Sequence, residues 1–283
     1  MSTRKFMDML NTCWKSGAFV CVGLDPDLNK IAKTGSIYSK LLQTNEYVVR
    51  ATKNVACAYK PNIAFYEACG QAGLEALKAT IAFIHEVAPD VPIILDAKRA
   101  DIGNTSEKYA YAAFRVFDAD AVTVNPYFGQ DSIQPFLDWT DKGVIVLCRT
   151  SNPGSAEFQE RLVQITDNEA EAWGLTNGTT MPIYQLVAWR VRRQWNTGGN
   201  CALVVGATFS RELQAVRQIV QDMPILVPGV GKQGGSIENV IKAGKDQRSL
   251  GLIINSSSGI MYADDPGAEA LRMNDEIKHW LLG

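Results

Sequence analysis

The sequence predicts a single (β/α)8 barrel, a TIM barrel, on three observations. Eight short apolar runs rich in Val, Ile or Leu recur along the chain, at 18–24, 55–59, 92–95, 121–124, 144–148, 201–205, 224–227 and 250–254. Amphipathic helical stretches separate them, and such alternation gives parallel strands joined by right-handed crossovers. Eight is the strand number that closes a barrel, and 283 residues suit one such domain, 1–283. A doubly wound open sheet is the other arrangement these units allow.

The runs are four to seven residues long, as strands buried on both faces should be. Among the helices, 104–117 has a polar opening turn followed by apolar residues at helical spacing. The stretch 210–220 opens on Ser210 as a partial capping box, with Leu213 where an acid usually stands. A closing helix over 265–282 carries Pro266 near its start, where proline is tolerated. Only the interval between the fifth and sixth strands is long. It holds the loop TSNPGSAEF and helical text over 181–194, and reads as an insertion inside one domain.

Hydrophobic residues make up 46% and charged residues 20%, which is globular. Lys+Arg is 28 against Asp+Glu 30, a net charge of -2, so a general nucleic-acid or membrane-surface binder is not expected. No run approaches the ~18 apolar residues of a membrane span. The first 17 residues space Arg4, Lys5, Asp8 and Lys15 helically, without the apolar centre of a signal peptide. Six cysteines never form a CxxC pair; Cys21, Cys57, Cys148 and Cys201 lie in strand text, where a free thiol behaves as a small hydrophobe. A reduced, cytoplasmic protein follows, and the sequons at Asn104, Asn177 and Asn255 are then chance matches.

In either fold a ligand sits beyond the carboxyl ends of the strands. Strand one runs into Asp25, strand two into Lys60, and strand three into Asp96, Lys98 and Asp101. Strand four ends at Asn125, strand five at Arg149 and Ser151, and strand eight at Asn255 and three serines. Asp25, Lys60, Asp96 and Lys98 alternate in sign, and Asp96 and Lys98, two apart, share a strand face. Each member sees opposite charge first, which keeps all four ionised. The lysines occupy the places a cation would take, so no metal is expected. His85 and His279, the only histidines, both lie in helical text, so proton transfer falls to lysine.

The segment VPGVGKQGG after strand seven spells GxGxxG with Gly229, Gly231 and Gly234. A dinucleotide fingerprint belongs in a first βαβ unit with an acid ~20 residues on, and here the next strand ends in Asn255. A phosphate cradle of backbone N–H groups fits better, since the loops after strands seven and eight are the usual phosphate site of such barrels.

The string LDAKRADIGNT, 95–105, resembles the D-x-K-x-x-D-I-x-x-T signature of the orotidine 5′-phosphate decarboxylases. VGLDPD around Asp25, YKPN around Lys60, VNPYFG around Asn125, TSNPG around Ser151 and VPGVGKQGG extend the likeness over nearly the whole chain. The motif order and the insertion are most similar to the longer bacterial, type 2 subfamily. The resemblance implies cofactor-free decarboxylation of orotidine 5′-monophosphate to UMP on a (β/α)8 barrel, the last step of UMP synthesis. By it, Lys98 protonates C6 of the pyrimidine, Asp96 lies beside the departing carboxylate, and Lys60 orients and balances charge. Asp101, Ile102 and Thr105 reach into the partner's site in a homodimer. Asp25 binds ribose hydroxyls, Ser151 the pyrimidine edge, and Pro228, Gln233, Gly234 and Ser258 lie along the phosphate.

At strand eight the family usually reads NSSRGI, with arginine on the phosphate; this chain reads NSSSGI, with Ser258 in that place. Weaker phosphate binding is the expectation, with Lys232 or Arg248 as substitute cations. Other readings are a sibling sugar-phosphate decarboxylase or synthase, a Schiff-base aldolase, and a catalytically weak nucleotide-binding barrel. The siblings hold Mg²⁺ through an acidic residue on the second strand, where this chain has Lys60. Carboxylates beside both lysines keep them protonated and poor as Schiff-base nucleophiles.

Overall fold

A computed structural model describes residues 4–230 and 234–282. Eight parallel strands form the centre: β1 Val20–Leu24, β2 Ala56–Pro61, β3 Ile94–Arg99, β4 Ala121–Val124, β5 Gly143–Arg149, β6 Cys201–Val205, β7 Ile225–Pro228 and β8 Leu252–Ser256. Around the sheet the order is β2-β1-β8-β7-β6-β5-β4-β3. Single bridges Tyr59↔Ile93 and Asn62↔Asp96 bring its two ends together, with Tyr59 N donating to Pro92 O at 3.0 Å. The sheet therefore closes into a barrel, and the open doubly wound alternative is set aside.

All eight predicted runs are strands, with shifted ends. β2 runs on through Lys60, β3 through Asp96 to Arg99, and β5 to Arg149. The apolar text stops earlier because backbone ladder bonds are indifferent to side-chain polarity, and the mouth of the barrel is where polar side chains gather. Both faces of the sheet are buried, by residues such as Val20, Val22, Ala58, Ile94, Val122, Ile145, Leu203, Leu226 and Ile253.

Helices surround the strands. The first, Phe6–Lys15, buries Phe6, Leu10 and Trp14, and Phe6 packs against Gly143 at the start of β5. The helix expected over 104–117 is α-helical over Gly103–Tyr111 and continues as a wider π turn over Ala112–Val116. The cap expected from Ser210 is not made: Ser210 lies inside the helix Ser210–Val220, and the residue before it, Phe209, offers no side-chain acceptor. The closing helix is Pro266–Leu282, and Asp265 Oδ1 accepts from Gly267 N and Ala268 N at 2.9 and 3.0 Å. Among the described residues no helix is long and apolar enough to cross a membrane.

The insertion between β5 and β6 contains a two-stranded antiparallel hairpin, Leu162–Gln164 with Thr180–Pro182, around the capped helix Asp167–Trp173. It carries its own small core of Ile165, Ala170, Trp173 and Met181, where the Trp173 and Trp189 rings stack at 5.6 Å. Its last helix, Ile183–Arg190, leads back to the barrel through a π turn.

All six cysteines are free thiols, five of them buried. Burial pushes Cys21 and Cys201 up to about 12, leaving them as inert packing groups. His85 and His279 lie on outer helices: His85 Nε2 is 3.1 Å from Asp118 O, and His279 packs edge-on to Trp280.

Candidate active site

The carboxyl ends of β2 and β3 bring three of the predicted charges into direct contact. Lys60 Nζ lies 2.9 Å from Asp96 Oδ2, and Lys98 Nζ lies 2.6 Å from Asp96 Oδ1. Lys60 is 4% exposed, while the Lys98 side chain is 48% exposed and faces the open mouth. Burial alone would discharge these groups. At Asp96 it is outweighed by the two ammonium groups, which hold the carboxyl well below the usual range. At Lys60 it is outweighed by Asp96 and then Asp25, which hold the ammonium above its usual value. Asp25, just past β1, is near enough for that influence, yet its Oδ1 is buried without a hydrogen-bond partner among the described residues.

Asp96 and Lys98 converge for a different reason than strand alternation. Between the matched pairs Leu95↔Val122 and Arg99↔Val124, β3 advances four residues while β4 advances two. This bulge puts Lys98 at φ 49, in the left-handed region that costs a non-glycine residue about 1–3 kcal/mol. Opposite the bulge stands Thr123, a residue that sequence reasoning missed because it looks like one more β-branched strand residue. Its Oγ1 accepts from Ala97 N at 3.0 Å and Lys98 N at 2.9 Å, and donates to Asp96 Oδ1 at 2.9 Å.

Asp101 and Ile102 lie on the turn after β3, and Thr105 in the first turn of the helix Gly103–Tyr111. Asp101 Oδ1 accepts from Ile102 N at 2.8 Å, and the Ile102 side chain is 63% exposed. The fold does not bring this turn into hydrogen-bond contact with the Lys60–Asp96–Lys98 group of its own chain.

Ser151 follows β5 on a loop fastened at its base. Arg149, 1% exposed, stacks on the Phe209 ring at 3.7 Å and bonds Ser155 and Glu160. Gln159 closes the loop on itself, accepting from Thr150 N and donating to Thr150 Oγ1, both at 2.9 Å. Gly206, on the neighbouring strand end, has no room for a side chain: a Cβ there would lie 2.8 Å from Ser151 Cβ.

The expected phosphate side is built from the ends of β7 and β8. Pro228 ends β7, Gly234 takes φ 87, and Ser258 opens the short helix Ser258–Met261. Gln233 and Lys232 lie outside the described residues. Ser257 Oγ is buried without a partner among the described residues, and a Cβ on Gly23 would lie 2.5 Å from Ser257 Cβ. The buried oxygens on Asp25 and Ser257 thus lie just past the ends of the adjacent strands β1 and β8. Arg248 does not serve as the expected substitute cation. It pairs with Asp246 at 2.6 Å on the turn that enters β8, at the amino end of the strand, and cannot replace an arginine at position 258 beyond the carboxyl end. Arg272 does line a cavity with Gly235, Ser256 and Gly259, but it is engaged by Glu269 and Glu276 at 2.7 and 3.1 Å.

This arrangement holds a fixed carboxylate between two ammonium groups at one end of the mouth and a serine- and glycine-rich turn at the other. The sequence profile of the Orotidine 5′-phosphate decarboxylase / HUMPS family matches residues 18–273. An orotidine 5′-phosphate decarboxylase of Ralstonia nicotianae is 46% identical over 276 residues, 95% of this chain and 94% of the relative. One of Cellvibrio japonicus is 45% identical over 273 residues, 94% of each chain. The solved structure of Leishmania donovani OMP decarboxylase superposes with a TM-score of 0.84 at 36% identity, covering 99% of both chains. Matched from β1 to the closing helix, and at this identity over nearly its whole length, the chain belongs to the orotidine 5′-phosphate decarboxylase family.

Proposed function

We propose that this protein converts orotidine 5′-monophosphate to UMP and CO2, with Lys98 as the proton donor and with neither metal nor organic cofactor. The observation that carries the reading is the Asp96 carboxylate gripped by Lys60 and Lys98 at 2.9 and 2.6 Å. In the reaction the C6–carboxylate bond breaks, CO2 leaves, and the electron pair stays on C6. That carbanion has no conjugated sink, so a cation must already be aimed at it. An ammonium fixed by its neighbours does this without reorganisation, and preorganised electrostatics is usually the largest catalytic contribution. Lys98 then gives its proton to C6 and is reprotonated from solvent.

Lys60 balances Asp96 and orients the array. Asp25 takes the ribose hydroxyls, Ser151 the pyrimidine edge, and Pro228, Gln233, Gly234 and Ser258 the phosphate. The phosphate is remote from the bond that breaks, so its binding energy can serve orientation. The sibling sugar-phosphate chemistry needs an acid where Lys60 stands.

Asp101, Ile102 and Thr105 serve the neighbouring site of a homodimer. Support comes from the segments after β3, β4 and β5, which expose large apolar side chains beyond the carboxyl ends of neighbouring strands, Ile102 at 63%, Tyr127 at 81% and Phe158 at 66%. We place the protein in the cytoplasm, as one barrel domain over 1–283, catalysing the last step of UMP synthesis. The test is the loss of orotidine 5′-monophosphate absorbance on mixing with purified protein, with and without EDTA. No loss of absorbance overturns the reading.

A further inference from the structure

We propose that Thr123 is a positioning residue for the decarboxylation, its single hydroxyl holding both the backbone and the ammonium of Lys98 in place; the inference rests on the role given above to Lys98. The bulge in β3 takes Ala97 N and Lys98 N out of the ladder with β4. Both donate instead to Thr123 Oγ1, at 3.0 and 2.9 Å. A hydroxyl has two acceptor lone pairs and one proton. The proton goes to Asp96 Oδ1 at 2.9 Å, the same oxygen that receives Lys98 Nζ at 2.6 Å.

Every hydrogen-bonding capacity of the Thr123 hydroxyl is thereby spent on Asp96, Ala97 and Lys98, the segment that carries the proton donor. Thr123 is 1% exposed, so no water replaces it from the β4 side. The consequence is geometric. Lys98 sits at φ 49, a conformation that a lysine leaves unless its surroundings hold it there. Thr123 also fixes the carboxylate that aims the ammonium, so one side chain controls where the proton donor starts and where it points. Threonine's stiff χ1 keeps the hydroxyl on this side of the strand.

The variants Thr123→Val and Thr123→Ser separate the hydroxyl from the shape. Valine preserves volume and strand preference but has no lone pair; serine keeps the bonds. Steady-state turnover of orotidine 5′-monophosphate, the affinity for UMP by calorimetry, and thermal melting would be measured on all three proteins. The expected result is a kcat lower by about 10- to 100-fold in Thr123→Val, the loss of charge-assisted hydrogen bonding. KM and UMP affinity should stay within a few-fold, and Thr123→Ser should recover most of the rate. A merely structural role would lower melting temperature and active fraction in both variants alike, and that outcome overturns the proposal. So does a Thr123→Val enzyme with near wild-type kcat, or a loss confined to KM. If Thr123→Val does not fold, Thr123→Cys, close in size and a weak acceptor, takes its place with the same expectations. A wild-type protein without turnover would instead refute the decarboxylase reading, and this inference with it.

Discussion

Lys98 Nζ rests 2.6 Å from the Asp96 carboxylate two residues before it, although a bulge with Lys98 at φ 49 interrupts the strand between them. The other carboxylate oxygen is held by buried Lys60 at 2.9 Å. Removing one partner from a buried pair is costly because the other is left as an uncompensated charge.

Asp96→Ala should therefore destabilise the fold by about 3–5 kcal/mol, measured by urea unfolding at neutral pH. The pH dependence has a definite sign. Asp96 is held below its ordinary value, so its contribution is present above about pH 4 and is lost as pH falls toward its folded value. Lys60 is held above its ordinary value, so its contribution is present below about pH 10 and lost as pH rises past it. The wild-type advantage over Asp96→Ala should be flat between these limits and shrink outside them. A steep change between pH 5 and 9 would show that another group dominates.

Turnover should depend on Lys98 and not on a divalent metal. The Lys98 side chain is about half exposed at the mouth, so Lys98→Ala should fold with a melting temperature near wild type and lose all measurable decarboxylation. EDTA should leave wild-type activity unchanged. Substantial activity in the variant, or loss of activity in EDTA, would contradict the assigned chemistry.

Active sites should be shared between two chains. Asp101 Oδ1 accepts from Ile102 N within its own turn, and the described residues show no hydrogen bond between it and the Lys60–Asp96–Lys98 group of its own chain. Co-refolding inactive Lys98→Ala with inactive Asp101→Ala chains should restore activity, because one of the two hybrid sites then carries both intact residues. A confirmed heterodimer without activity would count against sharing.

Ser258→Arg should raise kcat/KM for the phosphorylated substrate. A charge-assisted hydrogen bond contributes about 1.5–3 kcal/mol, equivalent to roughly 10- to 150-fold, and serine cannot replace a bidentate guanidinium. The phosphate-free nucleoside should show no gain. Arg248→Ala should leave both substrates unaffected, since Arg248 is tied to Asp246 at the opposite end of β8. Equal gains on both substrates would show that position 258 does not face the phosphate.

The sequence alone determined the barrel's eight strands and the residues at their ends. Apolar runs of strand length alternating with amphipathic helices can be read locally, and LDAKRADIGNT carries Asp96, Lys98 and Asp101 in a single string. Closure was expected from the strand number, with an open sheet as the alternative, and it rests on bridges between β2 and β3 that join residues distant in sequence, Tyr59 with Ile93 and Asn62 with Asp96. Thr123 was not legible: in sequence it is an ordinary strand threonine, and only the pairing of β4 against the bulged β3 gives its hydroxyl two amides and a carboxylate to serve. Arg248 shows the converse, a cation expected as a substitute on the phosphate that the intervening strand carries to the far end of the barrel. Local patterns specify elements, because periodicity and chain stiffness act over a few residues. Which polar groups meet depends on strand register and on bulges, and the packed barrel sets both.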